Sequence, residues 1–149
     1  MQKSYIILNS KKPDIPIFAR VVKNGVTISE AVNTREKNND ISGHAEINAL
    51  REAAKKLGTW KLYGCEIYST LEPCLMCTAA IIESRISKLY FAASDEKEGA
   101  CGSQWNIPLE GKLKNSLEVY SGAEIDGKSA DCWSDEIKEF FKNMRNKSN

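Results

Sequence analysis

The chain has 149 residues, of which 42% are hydrophobic and 28% charged, a composition typical of one globular domain spanning residues 1–149. Because 21 Lys and Arg balance 20 Asp and Glu, the net charge of +1 does not by itself indicate a nucleic-acid partner. No apolar run approaches the roughly 18 residues of a membrane span, and residues 1–10 lack the apolar core of a secretory signal, so we expect a cytoplasmic protein with no membrane partner.

The amino-terminal half predicts a β-hairpin followed by a helix. Two β-rich runs flank Asn24-Gly25, whose tolerance of positive φ favours a type I′ turn. Apolar residues then recur at helical spacing over 44–57. Gly58 is typical of a left-handed helix stop, and Ser42 is predicted as the N-cap.

The carboxyl-terminal half predicts three strands and two helices. The strands are expected at 66–71, 88–93 and 116–120, and the helices at 74–83 and 134–145. This order of elements predicts an α/β fold, a three-layer α/β/α sandwich in which helices cover a central mixed sheet.

Residue types that bind metals are concentrated in two short segments. His44 is the only histidine, and the five cysteines, without an export signal, favour metal ligation over a disulfide framework. Cys74 and Cys77 are three residues apart, which puts both sulfurs on one face of a helical first turn, where free N–H groups favour thiolates. Together with His44 they form a His/Cys/Cys set, which leaves a tetrahedral Zn²⁺ one open position for water.

Glu46 lies two residues after the histidine and is suited to moving the protons of a water activated by zinc. The pattern H-x-E followed by P-C-x-x-C is the signature of zinc deaminases, in which a carboxylate transfers protons while water replaces an amine on a heterocycle. Two alternatives remain open. A structural zinc site would recruit Cys65 or Cys101 as a fourth ligand, and a redox C-x-x-C pair would need no His-x-Glu elsewhere.

The chain resembles the bacterial tRNA wobble-adenosine deaminases of the cytidine-deaminase superfamily over about four-fifths of its length. The similar stretches are GHAEINALREA (43–53), KLGTW (56–60), STLEPCLMCTAAII (69–82), SRI (84–86), DEKEGACGSQWNI (95–107) and EFFKNMR (139–145). Guanine deaminases share the zinc half but not the 95–103 loop or the terminal helix, so these two segments favour the tRNA enzymes.

The resemblance implies a cytidine-deaminase-like fold, a homodimer and adenosine-to-inosine conversion in a tRNA anticodon loop. It implies one Zn²⁺ per subunit held by His44, Cys74 and Cys77, with Glu46 as the catalytic proton carrier. It also implies substrate contacts at Asn33 and Ala45. On the last helix, Lys142, Arg145 and Lys147 are candidate phosphate contacts, although a solvated helix face explains them equally well.

The chain departs from the family pattern at Phe18, where the family has a glycine. A benzyl side chain there is expected to narrow the substrate pocket, and Trp105, after the glycine-rich loop, is expected to border it. Trp60 and Trp133 are expected to be packing residues. Phe18 and the near-neutral charge keep open a deaminase of a free base or nucleoside such as guanine, cytosine or a related heterocycle. The segment before Asp14, which is shorter than in the family, keeps open a non-catalytic zinc-stabilised RNA-binding subunit.

Overall fold

The computed structural model describes residues 13–110, 112–113 and 115–147. Its strands are β1 (Phe18–Lys23), β2 (Val26–Val32), β3 (Cys65–Leu71), β4 (Lys88–Ala93) and β5 (Glu118–Tyr120). Its helices are α1 (Arg35–Asn38), α2 (Ala45–Leu57), α3 (Leu75–Glu83), α4 (Ile107–Glu110) and α5 (Ala130–Lys147). None of the helices in these ranges is long and apolar enough to cross a membrane.

The five strands form one mixed sheet in the order β2-β1-β3-β4-β5. Strand β1 pairs antiparallel with both β2 and β3, whereas β3, β4 and β5 run parallel to one another. The predicted turn is confirmed, because Asn24 and Gly25 both have positive φ, at 50° and 75°. The parallel arrangement brings the carboxyl ends of β3 and β4 to the same edge of the sheet.

Helices cover both faces of the sheet, as the element order predicts. On one face, side chains such as Val21, Ile67 and Leu89 pack with α2 and α3 in the main apolar core. On the other face, α5 packs through Trp133 and Ile137 against the ends of β3 and β4. The predicted α/β class with a mixed central sheet is confirmed.

Several local predictions differ from the structure. The N-cap of α2 is His44, not Ser42, because the Ser42 hydroxyl donates instead to Asp40 at 2.7 Å. Helix α5 begins four residues earlier than expected, at Ala130. Trp60 is not a packing residue, since 57% of its surface is exposed and its ring lies against the cation of Arg85, 5.4 Å away. Trp133 is buried, as expected.

Candidate active site

Two helix starts meet at the carboxyl end of β3. His44 is the N-cap of α2 and Cys74 is the N-cap of α3, and both have the extended backbone typical of that position. The Nδ1 atom of His44 lies 3.6 Å from the sulfur of Cys74 and 3.4 Å from that of Cys77. The predicted convergence of the two segments is therefore observed.

These three side chains fit a zinc ion. Zn–N bonds of about 2.0–2.1 Å and Zn–S bonds of about 2.3 Å at tetrahedral angles separate a histidine nitrogen from a thiolate sulfur by about 3.5 Å. The distances from His44 match this value, and all three donor atoms lie within 4.8 Å of one another. Within the described ranges no further His, Cys, Asp or Glu joins the group. The thiol of Cys101 instead contacts the Thr78 hydroxyl at 3.2 Å.

The three donor groups shift one another's pKa values. Hydrogen bonds from the Cys77 thiol and from His44 lower the pKa of Cys74 to about 4. The same contact with Cys74, together with burial, raises the pKa of Cys77. His44 has a raised pKa because its ring bonds to Cys74. The lowered pKa of Cys74 favours its thiolate, the form in which cysteine binds a metal.

Glu46 lies at the bottom of the site and is not part of the ligand group. It is 5% exposed, and its Oε1 accepts a hydrogen bond from the Ser69 hydroxyl at 2.8 Å. Burial raises the pKa of this carboxyl, which helps it to hold a proton at a pH where an ordinary glutamate is ionised. Glu46 is thus a buried carboxyl with a raised pKa beside the three donor groups.

A cavity of about 840 Å³ opens above these residues. We call its floor the lining residues His44, Glu46 and Cys74 together with Cys77, which is buried behind them in contact with His44. Its outer wall is formed by segments that are far apart in the chain. Among the described residues, the wall contains Pro13, Asp14, Ile15, Ile17, Asn33, Arg35, Glu36, Leu71, Glu72, Asp95, Glu98, Phe140, Phe141, Met144 and Arg145. We call Asn33, Arg35, Phe141 and Arg145 its rim.

The structure brings some of the predicted substrate residues to this cavity. Ala45 and Asn33 both line it. The Oδ1 atom of Asn33 accepts from the backbone N–H of Arg35 at 3.0 Å, which fixes the amide and leaves its NH₂ group as the donor for a ligand. Arg145 lines the cavity, whereas Lys142 is exposed beside it and does not. The side chain of Lys147 lies outside the described residues.

Phe18 and Trp105 are not among the described residues that line the cavity. Because strand side chains alternate between faces, Phe18 points towards α5, where its ring packs edge-on against Trp133 at 5.4 Å. Trp105 is 43% exposed and closes the turn after the glycine-rich loop, where its backbone N–H donates to the Gly99 carbonyl. Neither residue narrows the cavity in this structure.

Two carboxylates at the cavity were missed by the sequence analysis. Asp14 accepts hydrogen bonds from the backbone N–H groups of Glu36 and Lys37, at 2.8 and 3.1 Å, and so holds the start of α1. Glu72 is 2% exposed and accepts from the 95–103 loop. Their partners lie 22 to 31 residues away along the chain, so no local spacing could have indicated either contact.

Comparison with known proteins identifies the family. A family model described as the cytidine and deoxycytidylate deaminase zinc-binding region matches residues 1–93. The chain belongs to this family, and it is a zinc-dependent hydrolytic deaminase.

Among curated relatives, the chain is similar to the tRNA-specific adenosine deaminase of Aquifex aeolicus. The two are 41% identical over 138 residues, which cover 91% of this chain and 86% of the relative. A solved structure from work on A-to-I editing by tRNA:A34 deaminases at the wobble position has a TM-score of 0.69 and 40% identity, over 71% of this chain and 82% of that one. A structure of the guanine deaminase of Nitrosomonas europaea has a TM-score of 0.66 and 25% identity, over 83% of this chain and 71% of that one.

Proposed function

We propose that residues 1–149 form one deaminase domain that converts adenosine to inosine at the wobble position of a tRNA anticodon loop. The proposal rests on one observation above the others: the similarity to tRNA-specific adenosine deaminases extends over about nine-tenths of the chain and so well beyond the two metal-binding segments. The chemistry of the site is consistent with it.

The floor residues have two roles in the reaction, as metal ligands and as a proton carrier. His44, Cys74 and Cys77 would hold the zinc ion, which would supply activation of the attacking water by lowering its pKa to about 7. Glu46 is the group that accepts the proton of the attacking water and delivers protons to the ring nitrogen and the departing amine. Water thus replaces the exocyclic amine of adenosine, and ammonia leaves. Ser69 orients the Glu46 carboxylate by donating to its Oε1 atom.

The rim has the residue types that hold a nucleotide taken out of an RNA loop. Asn33 presents an amide to the base or ribose, and Phe141, 46% exposed, presents an aromatic ring on the opposite wall. Arg145, one turn further along α5, is suited to a backbone phosphate. An opening of this size accommodates a nucleotide that remains part of a chain.

Deamination of a free base is the second candidate function. It is favoured by the similarity to a guanine deaminase over 83% of the chain. The guanine deaminase is 25% identical to this chain, whereas the Aquifex relative is 41% identical. We therefore rank deamination of a free base second.

The deciding experiment compares RNA with small molecules. Zinc-loaded protein is incubated with an ACG anticodon stem-loop, and inosine is measured, while ammonia release is measured with free adenine, guanine, cytosine and their nucleosides. Inosine in the stem-loop without ammonia from the small molecules is the expected result. Ammonia from guanine with an unchanged stem-loop would overturn the proposal in favour of the second candidate. The same assays with Glu46→Gln protein give the background.

We also propose that the protein is a homodimer. Helix α3 carries no charged residue before Glu83, and Leu75 and Met76, beside the metal ligands, leave 46% and 37% of their surfaces exposed. A helix that is apolar on all sides is normally buried, and a second copy is the partner that fits. We infer a cytoplasmic location from the tRNA substrate alone.

A further inference from the structure

Glu72 is a buried carboxylate with an unusual number of donors. Its Oε1 atom accepts from the backbone N–H of Asp95 at 3.1 Å and from the Ser103 hydroxyl. Its Oε2 atom accepts from the backbone N–H groups of Cys101 and Ser103, at 3.0 and 3.2 Å. Four donors from one loop therefore converge on a single side chain that is 2% exposed.

The loop is also fitted closely around this carboxylate. A methyl group added to Gly99 would overlap the carboxylate of Glu72 and the backbone carbonyl of Asp95. The loop is then joined to the metal-bearing turn by a bridge between Gly99 and Cys74, and by a bond from the Ala100 N–H to the Pro73 carbonyl at 2.9 Å. The 95–103 loop and the start of α3 thus form one unit with Glu72 at its centre.

The same loop supplies part of the cavity wall. Asp95 and Glu98 line the cavity, and the Asp95 carboxylate accepts from the backbone N–H groups of Lys97 and Glu98, both at 3.1 Å. The bond from the Asp95 N–H to Glu72 therefore joins this wall to the end of strand β3. It acts beside the Gly99–Cys74 bridge and the Ala100–Pro73 bond, and it is the contact of this network that holds Asp95 itself through a side chain.

We propose that Glu72 is a positioning residue, which holds the 95–103 loop so that Asp95 and Glu98 stand at a fixed distance from the reacting centre. Although Glu72 lies in the cavity wall, both of its carboxylate oxygens accept from the loop, so we expect it to act through the loop. Glu72 contributes to substrate binding, because a loop that is already ordered loses less conformational entropy when the substrate binds. The inference rests on the proposed function only for the choice of substrate in its test.

Glu72→Gln tests this role because the substitution keeps the size of the side chain and removes one acceptor. If the new NH₂ group takes the place of Oε1, the Ser103 hydroxyl can reverse and accept from it, but the Asp95 N–H faces a donor. In the other orientation the NH₂ group takes the place of Oε2 and faces the backbone N–H groups of Cys101 and Ser103. We therefore expect faster amide hydrogen exchange at Asp95, with one zinc per chain retained.

The kinetic expectation is a split between KM and kcat. KM should rise about tenfold, the effect of one lost charged hydrogen bond, while kcat stays within about threefold. KM is measured on whichever substrate the wild-type protein converts, so a wrong substrate assignment leaves this test intact. Glu83→Gln is the matched control, because Glu83 is an exposed glutamate at the end of α3, and it should change nothing.

Three results would overturn the role. They are unchanged exchange at Asp95, faster exchange with an unchanged KM, and loss of zinc from Glu72→Gln. Should that variant fail to fold, Gly99→Ala disturbs the same contact from the loop side, and Ser103→Ala removes only the hydroxyl donor. Both should raise KM, Gly99→Ala more than Ser103→Ala, and an unchanged KM in both would equally reject the proposal.

Discussion

Cys77 at the floor of the cavity is fully buried, whereas Phe141 at the rim leaves 46% of its surface exposed. The floor comes from residues 44–77, each held by contacts within the fold, such as the bond from Ser69 to Glu46. The rim comes from the segment between β2 and the start of α1 and from α5, and its side chains line the cavity. We therefore expect the reaction to depend on the more deeply placed groups, and the choice of substrate on exposed ones that can vary without disturbing the metal site.

Loss of a floor ligand should have the largest effect. In Cys74→Ala only two donors remain, so we expect less than one zinc per chain, a fall in activity of more than about 100-fold and a lower unfolding temperature. Metal analysis, turnover and calorimetry measure the three quantities. Cys132→Ala is the control, since Cys132 is exposed and outside the ligand group. A Cys74→Ala protein with full zinc would exclude Cys74 as a ligand.

Loss of the proton carrier should abolish turnover and leave the metal in place. For Glu46→Gln we expect one zinc per chain and a decrease in kcat of about 10²–10⁴-fold, the usual contribution of general acid–base catalysis. The amide also keeps an oxygen that can accept from Ser69, so the fold should be preserved. If zinc were lost with activity, the division between ligands and proton carrier would be wrong.

A rim substitution should act on RNA binding alone. Arg145→Ala is expected to raise KM for the stem-loop about tenfold and to reduce the slope of log affinity against log salt by about 0.7, with kcat unchanged. Lys142→Ala is the comparison, because Lys142 is on the same helix but does not line the cavity. Equal effects of the two variants would mean that the helix attracts RNA only through its overall charge.

Phe18→Ala should have the smallest effect on the reaction. Its ring packs on Trp133, away from the cavity, so we expect a loss of stability of about 1–2 kcal/mol, part of the 3–5 kcal/mol of a fully buried phenylalanine. The ranking of substrates should not change. Denaturation curves and the substrate panel measure the two effects. A new small-molecule activity in Phe18→Ala would mean that Phe18 restricts the substrate pocket after all.

The floor was predictable from sequence because its signal is local. His44 and Glu46 are two residues apart and Cys74 and Cys77 three apart, and each pair begins a helix whose periodicity can be read directly. The main strands and helices were predictable for the same reason. Helices α1 and α4 were missed, since four residues are too few to show a helical period.

The rim and its supports were not predictable in the same way. Whether Phe18 faces the cavity depends on which face of the sheet α5 covers, and no local pattern gives that answer. Trp60 was assigned to packing from its residue type, yet it lies on the surface between cations. Glu72 looks like any other glutamate in the sequence, because the groups that it accepts from are backbone amides.

The order in which the site is completed follows from where its parts lie in the chain. All three metal ligands are contained in residues 44–77, whereas the wall formed by α5 is complete only at Arg145. At about 5–20 residues per second, a ribosome makes the ligands several seconds before that wall. Throughout that interval the growing chain carries the metal-binding thiols without the helix that completes the cavity wall, so the cavity is completed around a metal-binding group that is already made.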